Sequence, residues 1–121
     1  MSNPANISQQ IWDMKYRLKG PDGQPVDKTM SDTWARVAHA LSAPDRELDA
    51  EQGAQWEQRF TEAMDDFKFM PAGRILAGAG ADRRVTLFNC FVMGEIPDDM
   101  GGIFEHLKEA ALTMQQGGGI G

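Results

Sequence analysis

The sequence predicts an α+β chain, with a helical N-terminal segment over roughly residues 1–68 and a strand-and-helix piece over residues 69–121. Three observations support this. Two Trp-bearing segments repeat apolar residues at helical spacing before residue 68. The composition then turns rich in small residues from Met70 to Ala81. A β-branched and aromatic run, Val85 to Met93, follows and leads into a third helical stripe and a glycine-rich end.

Residues 1–30 carry few periodic signals. Tyr16-Arg17-Leu18-Lys19 followed by Gly20-Pro21-Asp22-Gly23 reads as a short strand and turn, because Pro and Gly supply the angles a turn needs. Thr29 and Asp32 have capping-box spacing, with Ser31 and Asp32 as alternative caps. Trp34, Val37, Ala38 and Leu41 recur at i, i+3, i+4 and i+7, predicting a helix that Pro44 prevents from continuing. A second helix is predicted from about Ala50 to Phe67, striped by Trp56, Phe60, Met64 and Phe67. Gly53 weakens its start by no more than about 1 kcal/mol relative to Ala. The two helices are expected to pack as an antiparallel pair with Trp34 and Trp56 in the core.

Met70 to Ala81 reads as a loop with a short extended piece. Residues 84–93 form the strongest strand candidate. Without clean alternation, that strand is apolar on both faces and belongs inside a covered sheet. Pro97 to Gly102 is a turn, and a third helix over about Ile103–Gln116 shows Ile103, Leu107, Ala110, Ala111 and Met114 on one face.

A net charge of −6 argues against a nucleic-acid or anionic-membrane partner, either of which needs a positive patch. No apolar stretch approaches the roughly 20 residues of a membrane span, and the first residues lack a secretory apolar core. One cysteine makes neither an internal disulfide nor a zinc cluster, so a cytoplasmic chain with a reduced thiol is expected.

That cysteine, Cys90, has two readings: a small buried hydrophobe, or a thiol made reactive by access and a positive surrounding. The amide of Asn89 beside it needs hydrogen-bond partners, which a ligand can provide. Gly117-Gly118-Gly119-Ile120-Gly121 follows a helix, where a single glycine would serve as C-cap. Four glycines exceed that need and let backbone approach a flat substrate closely. The run is neither a dinucleotide fingerprint nor a P-loop, since it follows a helix and lacks the Lys-Ser/Thr ending. Arg74 suits a phosphate or a surface carboxylate equally. His39 and His106 read as packing or solvent-facing residues, and Asp65-Asp66 and Asp98-Asp99 as a helix end and a turn.

Taken together, several stretches resemble the beginning of an adenosylcobalamin-dependent (class II) ribonucleotide reductase. They are Ile11 to Arg17, Asp32 to Ala38, Phe69 to Gly80, Val85 to Gly94 and Glu109 to Gly121. The last two are the most specific, in order and in spacing.

The resemblance implies that residues 69–121 begin a ten-stranded α/β barrel. In this family adenosylcobalamin generates a thiyl radical on a finger-loop cysteine, which takes the 3′ hydrogen of a ribonucleotide. A separate cysteine pair then reduces the 2′ carbon and becomes a disulfide. Cys90 matches the first member of that pair, Asn89 a substrate-touching neighbour, and Gly119, with Gly118 beside it, a glycine whose backbone meets the nucleotide. Gly73 and Arg74 match the edge of the same pocket. The thiyl cysteine, the second reducing cysteine and most of the cobalamin-binding region have no counterpart in these 121 residues. A complementary C-terminal reductase chain and a thioredoxin or glutaredoxin-type reductant are therefore expected, with the chain inactive alone. The stop inside the substrate loop suits a split gene, a truncation or an intein junction. Two further readings stand beside this one: a non-catalytic helical assembly or regulatory module that binds a larger partner, and an independent nucleotide-binding domain.

Overall fold

The computed structural model describes residues 4–121. The first three residues, part of the segment read as lacking a secretory signal, lie outside the described residues. The element order is α1 (Asn6–Lys15), α2 (Met30–Leu41), α3 (Ala43–Leu48), α4 (Ala50–Met64), α5 (Gly73–Gly78), β1 (Cys90–Phe91), α6 (Met100–Gln115) and β2 (Gly119–Ile120). A 3-10 turn over Asp65–Phe67 follows α4.

Local chemistry explains where most helices start. Thr29 caps α2 through a capping box: its hydroxyl accepts from the Asp32 N–H, and the Asp32 carboxylate accepts from the Thr29 N–H. Asp49 and Asp99 cap α4 and α6 by accepting from the amides of Gln52 and Gly102. Pro44 lies in the first turn of α3, where its missing N–H costs nothing, so it opens a short helix as well as closing the previous one.

The core gathers Trp34, Val37 and Ala38 of α2, Met64 of α4, and Leu76 and Ala79 from and just after α5. Phe67 meets Trp34 edge-on with ring centroids 5.6 Å apart. To reach that position Asp66 and Phe67 both adopt positive φ, 55° and 59°, a conformation costly for a bulky residue. The helix predicted to Phe67 therefore ends at Met64 and is completed by the 3-10 turn.

Several expectations are corrected. Trp56 is 38% exposed and lies over the Arg59 guanidinium, whereas Trp34 is 6% exposed. The face of α4 turned inward is the one carrying Gly53 and Met64, because Gly53 is pressed against Arg46 of α3. The first segment holds a helix, α1, anchored by one buried aromatic, Trp12, too sparse a pattern to read as a stripe. The predicted turn is present, with Lys19 bridged to Pro25 and Gly23 at φ 77°. Residues 73–78 are helical rather than extended.

The largest correction is at the strand. Only Cys90–Phe91 pair, with Phe88 72% and Val92 97% exposed, in place of a buried run over 84–93. The apolar side chains are as predicted, but among the described residues only β2 lies alongside to cover them. β1 and β2 pair in parallel, with Cys90 opposite Gly119 and Phe91 opposite Ile120. Parallel neighbours need a crossover, which α6 supplies. The third-helix face is largely open too: of the five predicted stripe residues only Ala110 is buried.

Candidate functional site

The site forms where α6 ends and β2 pairs with β1. Gly117, at φ 90°, donates to Met114 O at 2.9 Å, and Gly118 donates to Thr113 O at 3.1 Å. This paired pattern closes a helix through a left-handed residue, so Gly117 does the capping. The next two glycines serve close approach. A Cβ built on Gly118 would stand 2.7 Å from the Phe91 ring. One on Gly119 would stand 3.2 Å from Cys90 Sγ and 3.3 Å from Asn89 O. The Gly119 N–H donates to that Asn89 carbonyl at 2.8 Å, and the Gly121 N–H donates to Phe91 O at 3.0 Å.

Cys90 is exposed, so the buried-hydrophobe reading does not hold. Its sulfur lies beside bare glycine backbone, open to a flat ligand laid along the β2 edge. Asn89 is exposed too, its side chain without a hydrogen bond among the described residues. Arg74 reaches the same place from α5: a Cβ on Gly117 would be 2.7 Å from its Nη1. Its guanidinium makes no hydrogen bond or ion pair among the described residues, so the surface-carboxylate alternative finds no partner. Cys90, Asn89, Gly118, Gly119 and Arg74 are thus brought together. Gly73 lies at the start of α5, where a Cβ would meet the Tyr16 ring at 3.1 Å.

The histidines lie elsewhere, as expected. His39 Nδ1 is 3.1 Å from Glu57 Oε2 on an exposed edge. Among the described residues no three His, Cys, Asp or Glu side chains gather to hold a metal ion. The surface around Cys90 is an open strand edge with no enclosure for a corrin ring. The residues present therefore do not by themselves make an adenosylcobalamin site.

A buried polar cluster that sequence reading missed fixes α5, and through it Arg74. Asp27 is 3% exposed and accepts from Thr33 Oγ1 at 2.7 Å, Arg36 Nη2 at 2.9 Å and the Leu18 N–H at 3.1 Å. Arg36 also donates to the carbonyls of Leu76, Ala79 and Tyr16. Trp12 Nε1 donates to Thr33 Oγ1 at 2.9 Å. One guanidinium thus ties α2 to the hairpin, the end of α1 and the end of α5. The available signal was a second stripe in α2, Thr33, Arg36, Val37 and Ala40, with two polar members at core spacing.

Comparison with known proteins accords with this architecture. The model of the ribonucleotide reductase all-alpha domain matches residues 2–84, more than half of the chain. The chain belongs to the ribonucleotide reductase family. Among its relatives is the ribonucleoside-diphosphate reductase subunit alpha of Helicobacter pylori strain 26695, 40% identical over 107 residues, which are 88% of this chain and 13% of that protein. The corresponding subunit of strain J99 is 31% identical over the same shares. A Mycobacterium phage D29 protein, provisionally named an adenosylcobalamin-dependent ribonucleoside-triphosphate reductase, is 28% identical over 92% of this chain and 15% of its own. The chain thus spans about one-seventh of the length of these relatives. No helix among the described residues is long and apolar enough to cross a membrane.

Proposed function

We propose that this chain contributes one wall of the substrate site of a cytoplasmic, adenosylcobalamin-dependent ribonucleotide reductase, with residues 1–68 as a helical domain and residues 69–121 as the start of the barrel. A complementary C-terminal chain supplies the rest of the barrel and the cofactor site, and a thioredoxin or glutaredoxin-type protein supplies reducing equivalents. The observation that carries this reading is the pairing of Cys90 with Gly119, which sets a thiol against backbone stripped of side chains. Support for the cofactor comes from the sequence resemblance and from the name of the phage relative.

Replacing a 2′-hydroxyl by hydrogen releases water and consumes two electrons and two protons. Two thiols deliver both and end as a disulfide. Cys90 is one of them and the complementary chain holds the other. Gly119, positioned by Gly118 packed under the Phe91 ring, lets the nucleotide lie against the main chain. The Asn89 amide offers it hydrogen bonds, and Arg74, with Gly73 at the base of the same helix, faces its anionic end.

The decisive experiment mixes this chain with the complementary chain, adenosylcobalamin, a ribonucleotide and a dithiol. Deoxyribonucleotide is expected from the mixture, from neither chain alone, and not from Cys90→Ser. Full turnover by Cys90→Ser would sink the assignment. The open apolar face of α6 favours one other reading, a non-catalytic assembly module. That reading predicts normal turnover in Cys90→Ser and loss of partner binding in Leu107→Glu.

A further inference from the structure

We propose that the cleft between the first hairpin and the loop after α5 binds a polyphosphate group. The cleft encloses about 840 Å³. Lys15, Tyr16, Arg17 and Lys19 from the first segment and Asp82 and Arg83 from the loop after α5 line it. Four of the twelve Lys and Arg residues thus face one concavity in a chain of net charge −6, against a single lining carboxylate. A concave wall of one sign concentrates field lines and draws in the opposite charge.

The four cations are not equally available. Arg17 is committed, donating to Asp13 Oδ1 at 2.8 Å and to the carbonyls of Asp27 and Lys28. Lys19 Nζ stands 3.8 Å from the same Asp13 carboxylate. Lys15 and Arg83, both on the lining of the cleft, make no hydrogen bond or ion pair among the described residues. Two unpaired cations on the lining of one cleft, with Lys19 a third, suit charge spread along several phosphates, where one carboxylate would satisfy only one of them. The apolar lining from Leu18 and Val26 leaves room for an organic group attached to those phosphates. The group can belong to inorganic polyphosphate or to the tail of a nucleotide. The site is separate from Cys90 and does not depend on its role.

The chain's single tyrosine, Tyr16, lines the cleft, so biosynthetic 3-fluorotyrosine gives one ¹⁹F resonance as a local reporter. Sodium tripolyphosphate at low salt is expected to shift it saturably. Lys15→Glu and Arg83→Glu should each weaken binding roughly fivefold, as an exposed charge contact does, and added salt should weaken it further. Cys90→Ser should change nothing. Tighter binding by adenosine triphosphate than by tripolyphosphate identifies a nucleotide as the source, and equal binding identifies the polyphosphate alone. No saturable shift at millimolar tripolyphosphate overturns the proposal. So does a shift untouched by both reversals while circular dichroism shows the fold intact, or equal binding by adenosine. Lys15→Gln and Arg83→Gln repeat the comparison should either reversal disturb folding.

Discussion

Glycine does different jobs at Gly53 and Gly119, and each makes its own prediction. At Gly53 a Cβ would stand 2.1 Å from Arg46 Cγ and 2.6 Å from its Cα, so backbone must give way. Gly53→Ala gains about 1 kcal/mol of helix propensity but faces overpacking of about 3 kcal/mol. Net destabilisation of roughly 2 kcal/mol is expected from urea unfolding. At Gly119 the obstacle is the Cys90 sulfur and the Asn89 carbonyl. Gly119→Ala should leave global stability nearly unchanged while lowering reductase turnover of the assembled enzyme on the proposed function. Removing Asp27 is another matter, because Arg36 would then be a buried cation without its counter-charge. Asp27→Ala should cost about 3 kcal/mol, readable as a lowered denaturant midpoint. The sequence displayed Cys90 and the glycines plainly, since their types are unusual where they stand. It hid Asp27, which looks like any turn carboxylate until its three donors fold around it.

Among the elements, the α2 helix was the most legible. Its apolar stripe and its capping box agreed, and both appear in the structure. Thr29→Ala should remove about 1 kcal/mol from that helix, seen as a lower melting temperature. Strand β1 was the least legible. Propensity and apolar content identify a segment that wants to be covered, but how many residues actually pair depends on what lies alongside. Among the described residues only β2 does so, and two residues pair. The α5 helix was obscured by its glycines and alanines, which resemble a loop in composition. What makes it a helix is tertiary: Leu76 enters the core and Arg36 donates to the carbonyls of Leu76 and Ala79 at its end.

For the molecule as a whole, acid should loosen the N-terminal region first. The Arg17 guanidinium hydrogen-bonded to Asp13 holds that carboxyl below its ordinary range, and the Thr29 N–H, helped by that of Lys28, does the same for Asp32. A carboxylate that titrates lower when folded contributes stability above its unfolded pKa and loses it as pH falls through the folded one. Melting temperature should therefore fall as pH drops below the ordinary carboxylate range, and less steeply in an Asp13→Asn, Asp32→Asn double variant. Asp13 and Asp32 thus set the acid behaviour of the N-terminal region and Asp27, through Arg36, the rigidity with which it holds α5, whereas family membership was already visible in sequence blocks spread along the chain.

The two-residue ladder joining Cys90 to Gly119 has a further meaning in time. It closes a long excursion of chain with few hydrogen bonds, so it can open at little cost while the Trp34–Val37–Met64 core stays shut. The amides of Gly119 and Gly121 should then exchange with solvent far sooner than those of Val37 or Ala38. The thiol should also accept an alkylating reagent without global unfolding. A partner that adds strands beside β1 and β2 would slow both processes together, so the lifetime of the reduced thiol would measure how completely the sheet has been built.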